Sequence, residues 1–96
     1  MTARNYIWDE RKATANLAKH GVEFEEARQA FEDPQGVLEF DPGHSDTEDR
    51  FVLIGISPRL RLLLVVHAEE DEGFTRIISA RRATRQEHLR YEQANS

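Results

Sequence analysis

The chain has 96 residues, no cysteine, 39% hydrophobic residues and a formal charge of −5. A chain of this length makes one domain, burying about 60–65% of its unfolded surface around a small core. Without cysteine there is no disulfide framework, thiol nucleophile or thiolate metal site, which fits a reducing cytoplasmic setting. The longest apolar run, Leu62 to Val66, is strand-sized against the ~20 residues that span a bilayer. Residues Met1 to Tyr6 lack the apolar centre of a signal peptide, so a soluble protein with no membrane partner is expected.

In chain order, Tyr6-Ile7-Trp8 is short, apolar and extended, and Asp9 is suited to cap the helix predicted over residues 10–20. Ala13 and Leu17 sit at i, i+4 on that helix, Lys19 and His20 close it as the macrodipole prefers, and Gly21 takes the left-handed position after it. A second helix is expected from Phe24 to Glu32, ended by Pro34-Gln35-Gly36. The period then changes. Residues 37–40 read as a short strand and 41–49 as a polar loop. Residues 50–57 and 61–68 are β-branched runs about a Pro58-Arg59 turn. After an acidic turn at 69–73, residues 74–80 form the last strand. Thr84 and Glu87 make a capping box for a final helix from about Arg85 to Glu92. The expected fold is α+β: two N-terminal helices, a four-stranded, mainly antiparallel sheet and a C-terminal helix, in one domain over residues 1–96.

Charge is unevenly distributed. Residues 1–49 hold 5 Lys/Arg and 12 Asp/Glu, a balance of −7, and residues 50–96 hold 8 and 6, a balance of +2, which together give −5. Five arginines (76, 81, 82, 85 and 90) stand against one acid, Glu87, between Arg76 and Arg90. The totals exclude a strongly basic nucleic-acid binder, but a confined grip on phosphate or on an acidic partner is compatible with them. The acidic half can equally dock a basic partner segment.

The residues Trp8-Asp9, Lys12, Asn16, Lys19-His20-Gly21-Val22, Phe24, Glu26-Ala27, Phe31, Asp33-Pro34, Arg50-Phe51 and Gly55, followed by Arg76-Ile77-Ile78-Ser79-Ala80-Arg81, Ala83, Glu87 and Tyr91, resemble the BrnT family. That family comprises bacterial type II toxins with a RelE-like ribonuclease fold. The likeness spans residues 6–91; the acidic tract Glu69-Glu70-Asp71-Glu72 departs from it where a basic residue would be more usual. The resemblance implies an endoribonuclease acting on messenger RNA, free or ribosome-bound. It also implies a cognate ribbon-helix-helix antitoxin that neutralises the toxin, with operator DNA bound only through the complex.

Metal-free RNA cleavage needs a base for the 2′-hydroxyl proton, an acid for the leaving oxygen and cations for the phosphorane charge. Arginine suits the last task through its bidentate fork, and Arg76, Arg81 and Arg50 are the candidates; the alternative for each is a surface ion pair. In an uninterrupted strand Arg76 and Arg81 fall on opposite faces, so they share one only if the chain turns at Ser79-Ala80. His20 is either a catalytic proton shuttle or a C-cap. Lys12 and Lys19, two helical turns apart, could meet phosphate or stay solvated, and Trp8 could stack on a base or pack the first helix onto the sheet. His67 reads as an inner or edge histidine, and His44 and His88 as exposed. The base is open among His20, Lys12, Lys19 and Glu48. No histidines show metal-ligand spacing, and no metal or cofactor is expected. A second reading is a non-catalytic binding module or co-repressor within a DNA-binding complex.

Overall fold

The computed structural model describes residues 5–41 and 48–96; His44 lies outside them. The chain begins with strand β1 (Asn5–Ile7), and helices α1 (Glu10–His20) and α2 (Phe24–Ala30) follow. Strands β2 (Val37–Asp41), β3 (Arg50–Ile56), β4 (Leu62–Glu69) and β5 (Phe74–Arg82) come next, then helix α3 (Arg85–Ala94). The sheet has five strands in the order β1-β5-β4-β3-β2, antiparallel except for the parallel pair β1–β5. This corrects the expected four-stranded sheet preceded by two helices. Three residues carry no readable alternation, and the partner that makes Asn5–Ile7 a strand, Phe74 to Arg76, lies about seventy positions away.

Local chemistry sets the helix ends as expected. Asp9 Oδ1 accepts from the Arg11 and Lys12 amides at 2.7 and 3.3 Å. Gly21 closes α1 at φ 69°, donating its amide to the Leu17 carbonyl. The Thr84–Glu87 capping box is complete: Glu87 Oε1 accepts from the Thr84 amide at 2.8 Å and Thr84 Oγ1 from the Glu87 amide at 3.2 Å.

Directly opposed residues on neighbouring strands share a face, so the register traces both sides of the sheet. One side, with Leu53, Leu63, Val65, Ile77 and Ala80, packs with Val22, Phe24, Ala27 and Ala30 of the α1/α2 layer. Gly55 lets α2 approach; a Cβ there would lie 2.8 Å from the Ala30 carbonyl oxygen. The other side, with Ile54, Leu62 and Leu64, packs with Tyr91 of α3. Burial on both faces explains the near-continuous apolar sequence of β4.

Buried polar groups tie the layers together. β1 pairs only with residues 74–76 of β5, and further along that edge the Asn16 amide replaces a strand. Its Nδ2 donates to the carbonyls of Ala80 (2.8 Å) and Val22 (2.9 Å), and its Oδ1 accepts from the Ala80 amide (3.0 Å). Glu26, 4% exposed, accepts from Ser57 Oγ at 2.7 Å and from both Arg61 Nε and its terminal nitrogen. Asp33 Oδ2 accepts from the Ile56 amide at 2.8 Å and the Tyr91 hydroxyl at 2.7 Å. Glu26 and Asp33 are therefore structural acids.

Asn16→Ala leaves the amide and carbonyl of Ala80 and the carbonyl of Val22 without these bonds, and should cost about 2–4 kcal/mol in urea denaturation; an unchanged midpoint would remove Asn16 from its bridging role. The Arg61 hydrogen bond holds the Glu26 carboxyl below its ordinary 4.5, outweighing burial. Its stabilisation is therefore fully present above pH 4.5 and lost as pH falls through the lower folded-state value. Glu26→Gln should lower stability at neutral pH and flatten the acid limb; parallel pH–stability curves for the two proteins would contradict the assignment.

Candidate functional site

Strand β5 runs unbroken to Arg82, so the turn expected at Ser79-Ala80 is absent. A β-bulge takes its place: Val66 opposes Ser79 and His67 opposes Ile77, leaving Ile78 as the extra residue. The surplus residue shifts the alternation, so Ile77 and Ala80 both enter the α1/α2 core. Arg76 and Arg81, opposed to Ala68 and Leu64, consequently both belong to the α3 side. Arg50 also opposes Ala68 and joins them there. Because α3 packs at Ile54, Leu62 and Leu64, it leaves the part of this face around Arg50 and Val66 uncovered. Two adjoining clefts lie on it: one of about 350 Å³ lined by Glu39, Asp41, Val52, Leu64, Arg81 and Arg90, the other of about 170 Å³ lined by Asp41, Arg50, Val66, Ile78 and Ser79.

The arginines differ in their partners. Arg76 donates Nε to Glu70 Oε1 at 2.6 Å and a terminal nitrogen to Glu48 Oε2. Glu48 Oε1 also lies 3.4 Å from Arg50 Nε, so one carboxylate bridges two guanidiniums. The Arg76 hydrogen bond, supported by Arg50, holds the Glu48 carboxyl below its usual range. Glu70 and then Glu48 raise the Arg76 pKa further, keeping it cationic. Arg81 instead grips Glu87 bidentately at 2.8 and 2.9 Å. Glu87, 8% exposed, is the capping-box acid, so Arg81 fastens the end of β5 to the start of α3.

The remaining predicted residues belong to the opposite layer. Trp8 packs edge-on against Phe24 with centroids 6.0 Å apart and donates Nε1 to Glu10 at 3.0 Å. His20 ends α1 half-buried, while Lys12 and Lys19 are exposed on that helix. All four lie on α1 or just before it, the helix that Asn16 ties to the β5 edge at Ala80. His67 is an inner residue, its ring 4.9 Å from that of Phe31. His88, Arg82 and Arg85 are exposed, and Arg90 pairs with Glu39 at 2.9 Å. Glu70 was not singled out in the sequence; its signal was the acidic tract, whose relation to Arg76 six positions on requires the hairpin. Among the described residues, no three His, Asp or Glu side chains form a group able to hold a metal ion.

A family model described as the ribonuclease toxin BrnT of type II toxin–antitoxin systems matches residues 8–87. The 1.1 Å crystal structure of the Brucella abortus ribonuclease toxin BrnT matches with a TM-score of 0.63 and 26% sequence identity, over 86% of this chain and 100% of that one. No curated protein matches the sequence.

Arg81 and Arg76 should separate in stability. Arg81→Ala strips a largely buried carboxylate of its bidentate partner and should cost about 1–3 kcal/mol. Arg76→Ala breaks more open pairs and should stay within about 1 kcal/mol of the parent. Equal losses in denaturant titrations would show that Arg76, too, is a structural strut.

Proposed function

Since this chain belongs to the BrnT family of ribonuclease toxins of type II toxin–antitoxin systems, we propose that it is a metal-independent endoribonuclease. In this reading it cuts messenger RNA on the open α3 side of the sheet and so inhibits translation. The observation that carries the site is the bulge at Ile78, which puts Arg76 and Arg81 on the side of Arg50 and the clefts.

Arg50 and Arg76 receive the scissile phosphate, their forks matching its non-bridging oxygens and countering the charge that grows in the phosphorane. Glu48 serves as the base. In the free protein its proton affinity is suppressed by the guanidinium groups beside it. A phosphate that takes over those guanidiniums lifts the suppression and adds its own negative charge nearby, so basicity rises when substrate arrives. Glu48 then accepts the 2′-hydroxyl proton, the 2′-oxygen bonds to phosphorus and the P–O5′ bond breaks. The products are a 2′,3′-cyclic phosphate and a 5′-hydroxyl, the leaving oxygen being protonated from solvent. Arg81 holds β5 and α3 together at the edge of the site. His20, Lys12, Lys19 and Trp8, on α1 or just before it, are assigned no part in this step. The cognate antitoxin is assigned to the ribbon-helix-helix type, with operator DNA reached only through the complex; the sequence resemblance supports that assignment.

The carboxylates already on Arg76 favour one rival, a binding module whose arginines never meet RNA. Purified wild-type protein should cleave RNA equally with and without EDTA and leave cyclic phosphate ends. Arg50→Ala and Arg76→Ala should each slow cleavage by about 10²–10³-fold, the usual loss for one preorganised charge-stabilising donor, and Glu48→Gln should slow it while RNA binding persists. Loss of cleavage in EDTA would overturn the mechanism. Full activity in a folded Arg50→Ala/Arg76→Ala double variant would overturn the site.

A further inference from the structure

The proposed cleavage chemistry leaves the outer edge of the sheet unused. β2 ends the strand order, and among the described residues no strand lies beyond it, so one side of its backbone faces outward. The sequence Val37-Leu38-Glu39-Phe40-Asp41 contains no proline or lysine, and its two charges, Glu39 and Asp41, guard the edge against acidic or like-charged strands but not against basic ones. It also exposes unusual apolar surface. Leu38 is 59% and Phe40 51% exposed, and both stand on the α1/α2 side, opposed to Leu53 and Phe51. Phe40 meets Phe51 at 5.6 Å between ring centroids. Val37, Glu39 and Asp41 alternate to the other side, where the two acids line the cleft that also holds Arg81 and Arg90.

This pattern selects its occupant. Two copies of β2 paired antiparallel about Glu39 would set Glu39 against Glu39, and a pairing about Phe40 would set Glu39 against Asp41; like charges directly opposed destabilise a sheet. A pairing about Leu38 avoids them but joins only residues 37–39, leaving Phe40 and Asp41 past the partner strand. A second copy therefore fits poorly. A strand alternating apolar with basic residues fits on both sides: its apolar residues cover Leu38 and Phe40, and its Lys or Arg residues face Glu39 and Asp41. The −7 balance of residues 1–49 attracts the same partner at longer range.

We propose that β2 is the docking edge for the antitoxin, which adds an extended, alternately basic and apolar segment as a sixth strand. This rests on reading the chain as a toxin with a cognate antitoxin, and it supplies a means of inhibition. Basic side chains drawn to Glu39 and Asp41 compete with Arg90 for Glu39 and close the β2 side of the cleft against RNA. Holding the toxin and silencing it become one event.

The test uses the full chain and the antitoxin co-encoded with it. In the complex, the amides of residues 37–41 should exchange roughly tenfold more slowly or better. Leu38→Asp, outside the cleavage site, should weaken antitoxin binding by about tenfold or more while RNA cleavage by the free toxin stays at the parent rate. If that variant melts early, Leu38→Ser removes apolar surface without adding charge and should weaken binding in the same direction. Unchanged exchange at 37–41, parental affinity in a folded Leu38 variant, or a concentration-dependent homodimer that protects these amides would each overturn the proposal. Failure of the wild-type chain to cleave RNA would count against the arginine site alone, because exchange is read on the complex.

Discussion

Between Thr75 and Arg81, strand β5 spends seven residues where its partner spends six from Glu69 to Leu64, and most of the molecule's organisation depends on that surplus. Without Ile78 as the extra residue, strict alternation would send either Ala80 or Ile77 out of the core. With it, both are buried beneath α1 and α2, and Arg76 and Arg81 share the opposite side. The bulge thus reconciles a packed inner face with a cationic outer one. β5 also carries β1 on one side, β4 on the other and α1 through the Asn16 bridge, so a change in its alternation reaches every layer.

Charge on this face is compensated locally. A guanidinium beside an apolar cleft needs a counter-charge in the free protein, and the chain supplies one from each neighbouring segment: Glu48 before β3, Glu70 after β4 and Glu87 in α3. The partners differ in burial, and that separates their roles. Glu87 is enclosed and also caps a helix, so its bond to Arg81 is architectural. Glu48 and Glu70 are more open, so a phosphate can exchange for them at modest cost. The acidic tract at 69–72 has a place in the same terms, since Glu70 pairs with Arg76.

Within the BrnT family the two ends of the sheet have different tasks in this reading. The β5 region is the proposed contact with nucleic acid and the β2 edge the proposed contact with protein. The two clefts between them share Asp41 and Val66.

Features governed by neighbours a few residues apart were legible in the sequence: the Asp9 cap, the Gly21 terminus, the Thr84–Glu87 box and the β-branched runs of β3 and β4. Each depends on short-range hydrogen bonding or period. The arginines of the last strand and the family were legible for a similar reason, as spaced residue patterns. Tertiary structure alone decided the rest. Asn5–Ile7 becomes a strand only because Phe74–Arg76 lies beside it, and Asn16 becomes a bridge only because Ala80 leaves its backbone groups to be met. Arg76 and Arg81 come to one side through a bulge defined by the register against β4. Side and neighbourhood are fixed by pairing across the sheet, which spacing along the chain does not encode.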